Sequence, residues 1–257
     1  MVLTDTHTHL YSDEMEYPVI ELIKRAGDQN VSRFFIPNID RDTISAVLDL
    51  GRNYPGVCFP MLGLHPVHVD GSYKEHLAAI ANALDLFPAE VFAIGEVGLD
   101  LYHDKTFLKE QQDAFLIQAR QAARLNLPLV IHCRNAFSEL MELMDEVSDL
   151  PLRGIFHCFG GSLAEAEKLI SMGFYLGIGG VLTYKNSGLA QVVEQIPIDH
   201  LVLETDAPYL SPVPRRGKVN ESANLLFVAA RLAELKQISL EDLAQITTAN
   251  SVRIFRI

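Results

Sequence analysis

Short apolar runs recur along the whole chain, and a stretch whose apolar residues have helical spacing follows each of them. Eight such runs predict strands, at residues 2–6, 33–37, 57–64, 91–95, 129–132, 154–157, 174–178 and 201–204. Strands that alternate with helices pair in parallel through right-handed crossovers. Eight strand–helix units therefore predict a closed, TIM-type (β/α)8 barrel, and we expect residues 1–257 to form a single domain of this kind.

The segment after the first predicted strand separates the barrel from its main alternative. An open, doubly wound α/β sheet would carry a glycine-rich phosphate loop at that place. The chain has His7-Thr8-His9 there instead, which favours the barrel.

Two helix starts are also visible in the sequence. Ser162 and Glu165 have the spacing of a capping box, which predicts a helix after the sixth strand. Ser239 is a candidate N-cap for a last helix over residues 240–251.

The composition limits the kinds of partner. With 49% hydrophobic residues the chain can bury a large core, while its formal charge of −12 disfavours loose adsorption to nucleic acid or an anionic membrane. A nucleic-acid substrate at a small site stays open, because bound divalent ions reverse the local sign of the charge. The three cysteines form no CxxC pair, and no apolar run approaches the roughly 20 residues that span a bilayer. Since the start also lacks a basic and apolar leader, we expect a cytoplasmic protein that does not enter membranes.

Six polar residues stand where predicted strands end. His7 and His9 follow the first strand, and alternation in an extended chain lets both imidazoles point to one place. The others end the fourth, fifth, sixth and eighth strands: Glu96, His132, His157 and Asp206. Each alone could be a strand-terminal residue satisfied by the backbone, but in a barrel these strand ends share the rim that holds active sites. Four imidazoles and two carboxylates are also the right number for two metal ions that share one carboxylate.

Several short motifs contain or adjoin these residues. They are DTHTHL at 5–10, GLHP at 63–66, GEVGLD at 95–100, IHCR at 131–134, FHCFGG at 156–161 and ETDAPYL at 204–210. In this order, and over nearly the whole chain, they closely resemble the TatD-type metal-dependent deoxyribonucleases of the amidohydrolase superfamily.

The resemblance implies a set of metal ligands. It places one divalent ion on His7, His9 and Asp206, and a second ion on His132 and His157. Glu96 would bridge the two ions. By their softness, mixed imidazole and carboxylate ligands suit Zn²⁺ or Mn²⁺, whereas the resemblance also allows Mg²⁺.

The resemblance also implies an activity, the hydrolysis of phosphodiester bonds in DNA. The substrate would be DNA or nucleic-acid ends, with no obligate protein partner. Asp206 would accept a proton from the attacking water, and Glu96 would set the spacing of the ions, so we take both as catalytic. The alternative enzyme is a hydrolase of another ester or amide bond, such as an aminoacyl-tRNA deacylase. A non-catalytic interaction module is the third hypothesis, and the complete ligand set disfavours it.

Four residues are candidate substrate-binding groups. His65 ends the third strand, where it would contact a substrate phosphate or support a ligand, unless Pro66 merely fixes it in a turn. Arg134 follows His132 by two residues and would either meet a phosphate or form an ion pair at the rim. Lys185 follows the seventh strand, and Arg215 belongs to a basic cluster with Arg216 and Lys218 after the eighth. We predict phosphate contacts for these side chains, against the alternative of solvated surface charges.

Three further positions lie close to the motifs. Glu204 precedes Asp206 by two residues, so we expect it to support the ligands from the same side. Asp100 is expected to brace the turn at Gly98 and Leu99 rather than to take part in chemistry. The TatD pattern reads Asn-Glu-Pro where this chain has Asn220-Glu221-Ser222, which makes the shape of that loop an open question.

Overall fold

The computed structural model describes residues 1–102 and 105–257, and within this part the chain forms eight β-strands and nine α-helices. The strands are β1 Leu3–Asp5, β2 Val31–Pro37, β3 Cys58–Leu62, β4 Ala93–Asp100, β5 Leu129–Arg134, β6 Gly154–Phe156, β7 Phe174–Ile178 and β8 Leu201–Leu203. The helices are α1 Val19–Gly27, α2 Ile44–Asn53, α3 Tyr73–Leu86, α4 Leu108–Leu125, α5 Phe137–Glu146, α6 Leu163–Ser171, α7 Leu189–Gln195, α8 Leu225–Lys236 and α9 Leu240–Phe255.

The strands follow one another in the sheet in their chain order, from β1 to β8. The pairs β1–β2, β3–β4, β4–β5, β5–β6 and β7–β8 are parallel. The backbone N–H of Thr6 donates to the carbonyl oxygen of Leu203 at 3.0 Å, so that the chain after β1 also pairs with β8. This connectivity confirms the predicted (β/α)8 fold class, with α9 added after the eighth unit.

Among the described residues, contacts within the chain separate two compact units. The first unit comprises Met1–Ile36, Gly56–Cys58 and His157–Ile257. The second comprises Pro37–Pro55 and Phe59–Phe156. A single domain over residues 1–257 stays a prediction, and we describe each unit by itself.

The first unit has an aromatic core. Phe34, Phe35 and Phe174 are fully buried, and the ring of Phe35 stacks on that of Phe255 with 3.6 Å between the ring centroids. Burial of each such side chain stabilises the fold by about 1.5–3 kcal/mol. Both predicted helix starts lie in this unit and are confirmed. Ser162 forms a capping box with Glu165, and the hydroxyl of Ser239 accepts from the backbone N–H of Asp242.

The second unit is built on β4 and β5, which are longer than predicted. We expected Glu96 and His132 to end their strands, and this is wrong: β4 continues to Asp100 and β5 to Arg134. The two strands stay paired as far as these residues because Gly98, opposite His132, has no side chain to push them apart. The register also shifts between Ile94 and Val97, which places Glu96 in an irregular part of β4.

No helix in residues 1–102 and 105–257 combines the length and the apolar composition needed to cross a membrane.

Candidate metal centre

The first unit holds a group of ligand-type side chains that we call the Asp206 cluster: His7, His9, His157 and Asp206. Nε2 of His7 lies 3.8 Å from Oδ1 of Asp206, and Nε2 of His9 lies 3.6 Å from the same oxygen. The ring of His157 stacks on that of His7, with centroids 3.9 Å apart and planes 11° from parallel. One ligand atom each of His7, His157 and Asp206 lies within 4.8 Å of the other two. The chain thus brings these four predicted ligands of the first unit together.

The spacing of these atoms fits a divalent ion. Four ligands at about 2.1 Å from one ion in a tetrahedron lie about 3.4 Å from each other. The imidazole–carboxylate distances of 3.6 and 3.8 Å are close to that value and too long for hydrogen bonds. These two distances therefore fit the shared coordination of one cation by Asp206 and an imidazole.

The backbone conformation of Asp206 and the neighbouring imidazoles favour its role as a metal ligand. Its φ of 53° lies in the left-handed region, which Asp tolerates better than most residues and which redirects its side chain after β8. Burial raises the pKa of Asp206, but His9, His157 and His7 lower it by more, and the pKa falls below its usual range. Asp206 is therefore a carboxylate at neutral pH, as a ligand or a proton acceptor must be.

Glu204 lies next to His157 of the Asp206 cluster, as expected from its position two residues before Asp206. It is fully buried, its Oε1 accepts from the backbone N–H of Cys158 at 2.5 Å, and the same oxygen lies 3.6 Å from Nδ1 of His157. A Cβ at Gly177 would come within 2.1 Å of Oε2 of Glu204, so glycine lets this carboxylate keep its observed position. Among the described residues, Oε2 itself has no hydrogen-bond donor. A buried carboxylate oxygen without a donor is in keeping with a cation nearby.

A buried polar network joins Asp5, Thr205 and Ser222, close in the chain to His7 and Asp206. The carboxylate of Asp5 accepts from the backbone N–H of Thr205 at 2.9 Å and from its hydroxyl at 2.6 Å. Burial raises the pKa of Asp5 to about 7, although hydrogen bonds from Thr205 and Ser222 oppose this. Ser222, where the TatD pattern has proline, also has its hydroxyl 3.3 Å from that of Thr8. The departure from the pattern thus adds a hydroxyl to the network.

The loop around Ser222 keeps a defined shape through Asn220. The side-chain amide of Asn220 donates to the carbonyl oxygens of Thr205 and Tyr209, at 2.9 and 2.7 Å. Its oxygen accepts from the backbone N–H of Glu221 and from the amide of Asn224. These four bonds hold the segment after β8 against the first turn of α8 without the proline.

The second unit holds another group, the Glu96 cluster: His65, Glu96, His132 and Asp100. Nδ1 of His132 lies 2.8 Å from Oε1 of Glu96, and Nε2 lies 2.9 Å from Oδ2 of Asp100. Nε2 of His65 lies 3.2 Å from the same oxygen of Glu96. Ligand atoms of His65, Glu96 and His132 all lie within 4.8 Å of one another.

Protonation in the Glu96 cluster also suits metal ligands. Burial lowers the pKa of His65 to about 4, against the opposing effect of Glu96, so that the imidazole is neutral at pH 7. Burial raises the pKa of Asp100, but the hydrogen bond from His132 and smaller effects lower it by more, to below its usual range. Neutral imidazole and ionised carboxylate are the forms that bind a cation.

Asp100 has a contact that the sequence did not predict. We expected Asp100 to brace a turn at Gly98 and Leu99, and this is wrong, because both residues lie within β4. Its Oδ1 accepts instead from the backbone N–H of Tyr102 at 2.9 Å. Its Oδ2, however, contacts His132, as a carboxylate that orients a metal-binding imidazole does. The register of β4 and β5 would have shown this, because Gly98 is opposite His132 and Asp100 stands two residues further on the same face.

The chain matches the TatD related DNase family over residues 4–256. It belongs to this family. It is 39% identical to the uncharacterised metal-dependent hydrolase YabD of Bacillus subtilis, over 100% of both chains. It is 34% identical to the 3′-5′ ssDNA/RNA exonuclease TatD of Cronobacter sakazakii, with 98% of this chain and 97% of that one covered. The crystal structure of YjjV, a TatD homologue from Escherichia coli K12, superposes with a TM-score of 0.93 at 30% identity, covering 99% of this chain and 98% of that one.

Membership in the TatD family makes this protein a metal-dependent hydrolase with a (β/α)8 fold. The number of ions and their identity stay predictions. So does the division of ligands between two ions, in which His132 and His157 share the second ion. The structure places His157 beside His7 and Asp206, and it places His65 beside Glu96 and His132.

The four candidate substrate-binding residues of this TatD protein lie in different surroundings. His65 is part of the Glu96 cluster. The guanidinium of the exposed Arg134 lies 3.8 Å from the ring centroid of Tyr102. Lys185 lines a cavity of about 480 Å³ together with Arg216, whereas Arg215 lines another cavity, of about 270 Å³, with Arg25 and Glu221. The structure therefore groups Lys185 with Arg216 rather than with Arg215, and no feature of the sequence distinguishes these two neighbouring arginines.

Proposed function

We propose that this TatD-family hydrolase cleaves phosphodiester bonds of DNA with two divalent ions. The observation that carries the proposal is the pair of imidazole and carboxylate clusters. The Asp206 cluster follows β1, β6 and β8, and the Glu96 cluster lies within β4 and β5 and after β3. One relative, the TatD protein of Cronobacter sakazakii, is named as an exonuclease of single-stranded DNA and RNA. The same reaction class is therefore the natural proposal for this chain.

The proposed ligands are those of the family pattern. His7, His9 and Asp206 would hold one ion, His132 and His157 the other, and Glu96 would be shared. Because the strands of a parallel barrel all end at one rim, ligands on different strands can serve one centre. Bound ions would polarise the scissile phosphate. They would also lower the pKa of a bound water, so that a hydroxide nucleophile is available at neutral pH.

The residues of the chain divide the remaining work. Asp206 is ionised and would accept the proton of the attacking water. Asp100 lies at hydrogen-bond distance from Nε2 of His132 and would keep this imidazole in one orientation, and Glu204 lies 3.6 Å from Nδ1 of His157. The loss of these contacts would misplace a ligand rather than remove one.

The experiment is a comparison of substrates on purified protein supplied in turn with Mg²⁺, Mn²⁺ or Zn²⁺. We expect cleavage of a single-stranded DNA oligonucleotide that a chelator abolishes, and no hydrolysis of an aminoacyl-tRNA ester. Hydrolysis of the ester without cleavage of DNA would contradict the proposal and favour a deacylase. The same assay compares Asp206→Asn, which alters the proposed proton acceptor, with a control variant. The control is Asp199→Asn, which removes an exposed carboxylate in the same unit.

A further inference from the structure

The loops after β7 and β8 in the first unit enclose a basic cavity of about 480 Å³. Lys185 and Arg216 supply positive charge to its wall, and Asn186 and Ser187 supply hydrogen-bonding groups. Thr183, Tyr184 and Val213 complete the lining. We call this the Arg216 cavity, and neither metal cluster includes any of its residues.

The wall of the Arg216 cavity is held in place by specific contacts. The guanidinium of Arg216 stacks over the ring of Tyr184, 4.5 Å from its centroid. The hydroxyl of Tyr184 in turn donates to the carbonyl oxygen of Ser211 at 2.8 Å. The backbone N–H of Val213 donates to the hydroxyl of Thr183 at 2.8 Å. Stacking fixes the plane of the guanidinium and leaves its N–H edge available for an anion.

Among the described residues, the cations of this cavity have no carboxylate partner, although the chain is rich in carboxylates. The formal charge is −12, and arginines elsewhere, such as Arg25, Arg52 and Arg231, pair with acidic side chains at 2.6 or 2.7 Å. Within residues 1–102 and 105–257, no carboxylate lies within 4.0 Å of a nitrogen of Lys185 or Arg216. Two neighbouring, uncompensated cations create a local field that attracts an anion.

The cavity lies a short distance along the chain from the Asp206 cluster. The exposed ring of Tyr209 is 6.2 Å from the ring of His9, centroid to centroid. Val213 follows Tyr209 by four residues, so their Cα atoms are at most about 14 Å apart. An extended chain of nucleotides can therefore lie over Tyr209 and reach the cavity.

We propose that the Arg216 cavity binds a backbone phosphate of a single-stranded oligonucleotide, away from the scissile bond, while Tyr209 stacks on an unpaired base. This rests on the proposed function and specifies its substrate as a strand with several phosphates. Stacking on an aromatic ring requires a base that is not paired, and it is tolerant of sequence because every base has a π-face. Paired bases in a duplex cannot make this contact.

Binding without cleavage provides the test. A short, labelled, single-stranded oligodeoxythymidylate is titrated into the protein in the presence of EDTA, and fluorescence anisotropy gives Kd at several salt concentrations. We expect Lys185→Ala and Arg216→Ala each to raise Kd by about 3-fold or more at low salt. Each should also reduce the slope of log K against log salt concentration by about 0.7, the value for one phosphate contact on a single strand. Tyr209→Ala should weaken binding, and Tyr209→Phe should restore it.

The matched control is Arg231→Ala, which removes one arginine from the surface of α8 in the same unit. It should leave Kd and the salt slope unchanged. Equal Kd values for the wild type, Lys185→Ala and Arg216→Ala would overturn the inference, as would a wild type that does not bind the oligonucleotide.

The proposed function is tested separately with bis(p-nitrophenyl) phosphate, a diester that has no second phosphate. A wild type that cleaves this diester while the cavity variants bind DNA normally would keep the function and reject the cavity. Weakened binding by the variants, with no cleavage of any phosphodiester by the wild type, would keep the cavity as a strand-binding site and reject the function.

Discussion

The Asp206 cluster and the Glu96 cluster contain the same kinds of side chain but hold them differently. In the Glu96 cluster the imidazoles lie 2.8, 2.9 and 3.2 Å from carboxylate oxygens, which are hydrogen-bond distances. In the Asp206 cluster the corresponding distances are 3.6 and 3.8 Å. The imidazoles of the Glu96 cluster are within hydrogen-bond distance of its carboxylates, whereas those of His7 and His9 lie beyond that distance from Asp206.

This difference bears on how readily each cluster accepts an ion. A cation at the Glu96 cluster must replace at least one hydrogen bond to a charged group, which is worth about 1.5–3 kcal/mol. A cation at the Asp206 cluster would lie between imidazoles and a carboxylate that are not within hydrogen-bond distance of each other. We therefore expect the two clusters to bind metal unequally, and four predictions test this comparison.

The largest effect is expected from the glycines that make room for each cluster. A Cβ at Gly98, whose φ is 146°, would lie 1.9 Å from the carbonyl oxygen of His132. A Cβ at Gly177 would instead meet the end of the Glu204 side chain, which can move. Gly98→Ala should lower the free energy of unfolding by about 3 kcal/mol or more, and Gly177→Ala by about 1–3 kcal/mol. Urea denaturation measures both, and a larger loss for Gly177→Ala would show that the Asp206 cluster is the more tightly packed of the two.

The next effect concerns catalysis by the Asp206 cluster. Asp206→Asn keeps the shape of the side chain and one ligating oxygen but loses the negative charge. We expect kcat on an oligonucleotide to fall by at least about 10²-fold, the scale of losing a general base. Circular dichroism should show an unchanged fold, and Asp199→Asn should retain activity. A near-normal kcat would remove Asp206 as the base and leave Glu96 or Glu204 in that role.

Metal titration tests the comparison directly. Calorimetric titration of the chelator-treated protein with Mn²⁺ or Zn²⁺ should show two steps whose affinities differ by about 10-fold or more, which corresponds to at least 1.4 kcal/mol. Asp206→Asn should weaken the tighter step, and His132→Asn the weaker one. If His132→Asn weakens the tighter step instead, the hydrogen bonds of the Glu96 cluster prepare it for the ion rather than compete with it.

The smallest effect is expected from Asp100, which positions His132 without being a proposed ligand. Asp100→Asn should weaken the binding of the ion at the Glu96 cluster by about 10-fold and leave the Asp206 cluster unchanged. Added metal should restore kcat, since the ligand remains present. Asp85→Asn, an exposed position in the same unit, is the control. If Asp100→Asn binds both ions as the wild type does, then Asp100 only braces the turn at Tyr102.

The sequence by itself determined the fold class, and it supplied the candidate ligands by residue type. Alternating apolar runs and helical segments predicted eight parallel strands, because burial of apolar side chains in a parallel sheet produces this pattern. The helix starts at Ser162 and Ser239 depend on bonds three residues apart, so they too could be predicted locally. The polar residues near strand ends pointed to metal chemistry, and the motifs pointed to the family that the comparisons confirm.

Only the tertiary structure decided how these residues are grouped. The lengths of β4 and β5 depend on their register and on Gly98, and this register brings Asp100 to His132. The path of the loop after β8 decides that Arg216, rather than Arg215, joins Lys185. Such contacts join positions far apart in the chain, and their distances depend on how strands and loops pack. A local pattern specifies a side chain and the face it occupies, whereas its neighbour across the sheet or the loop is set by packing.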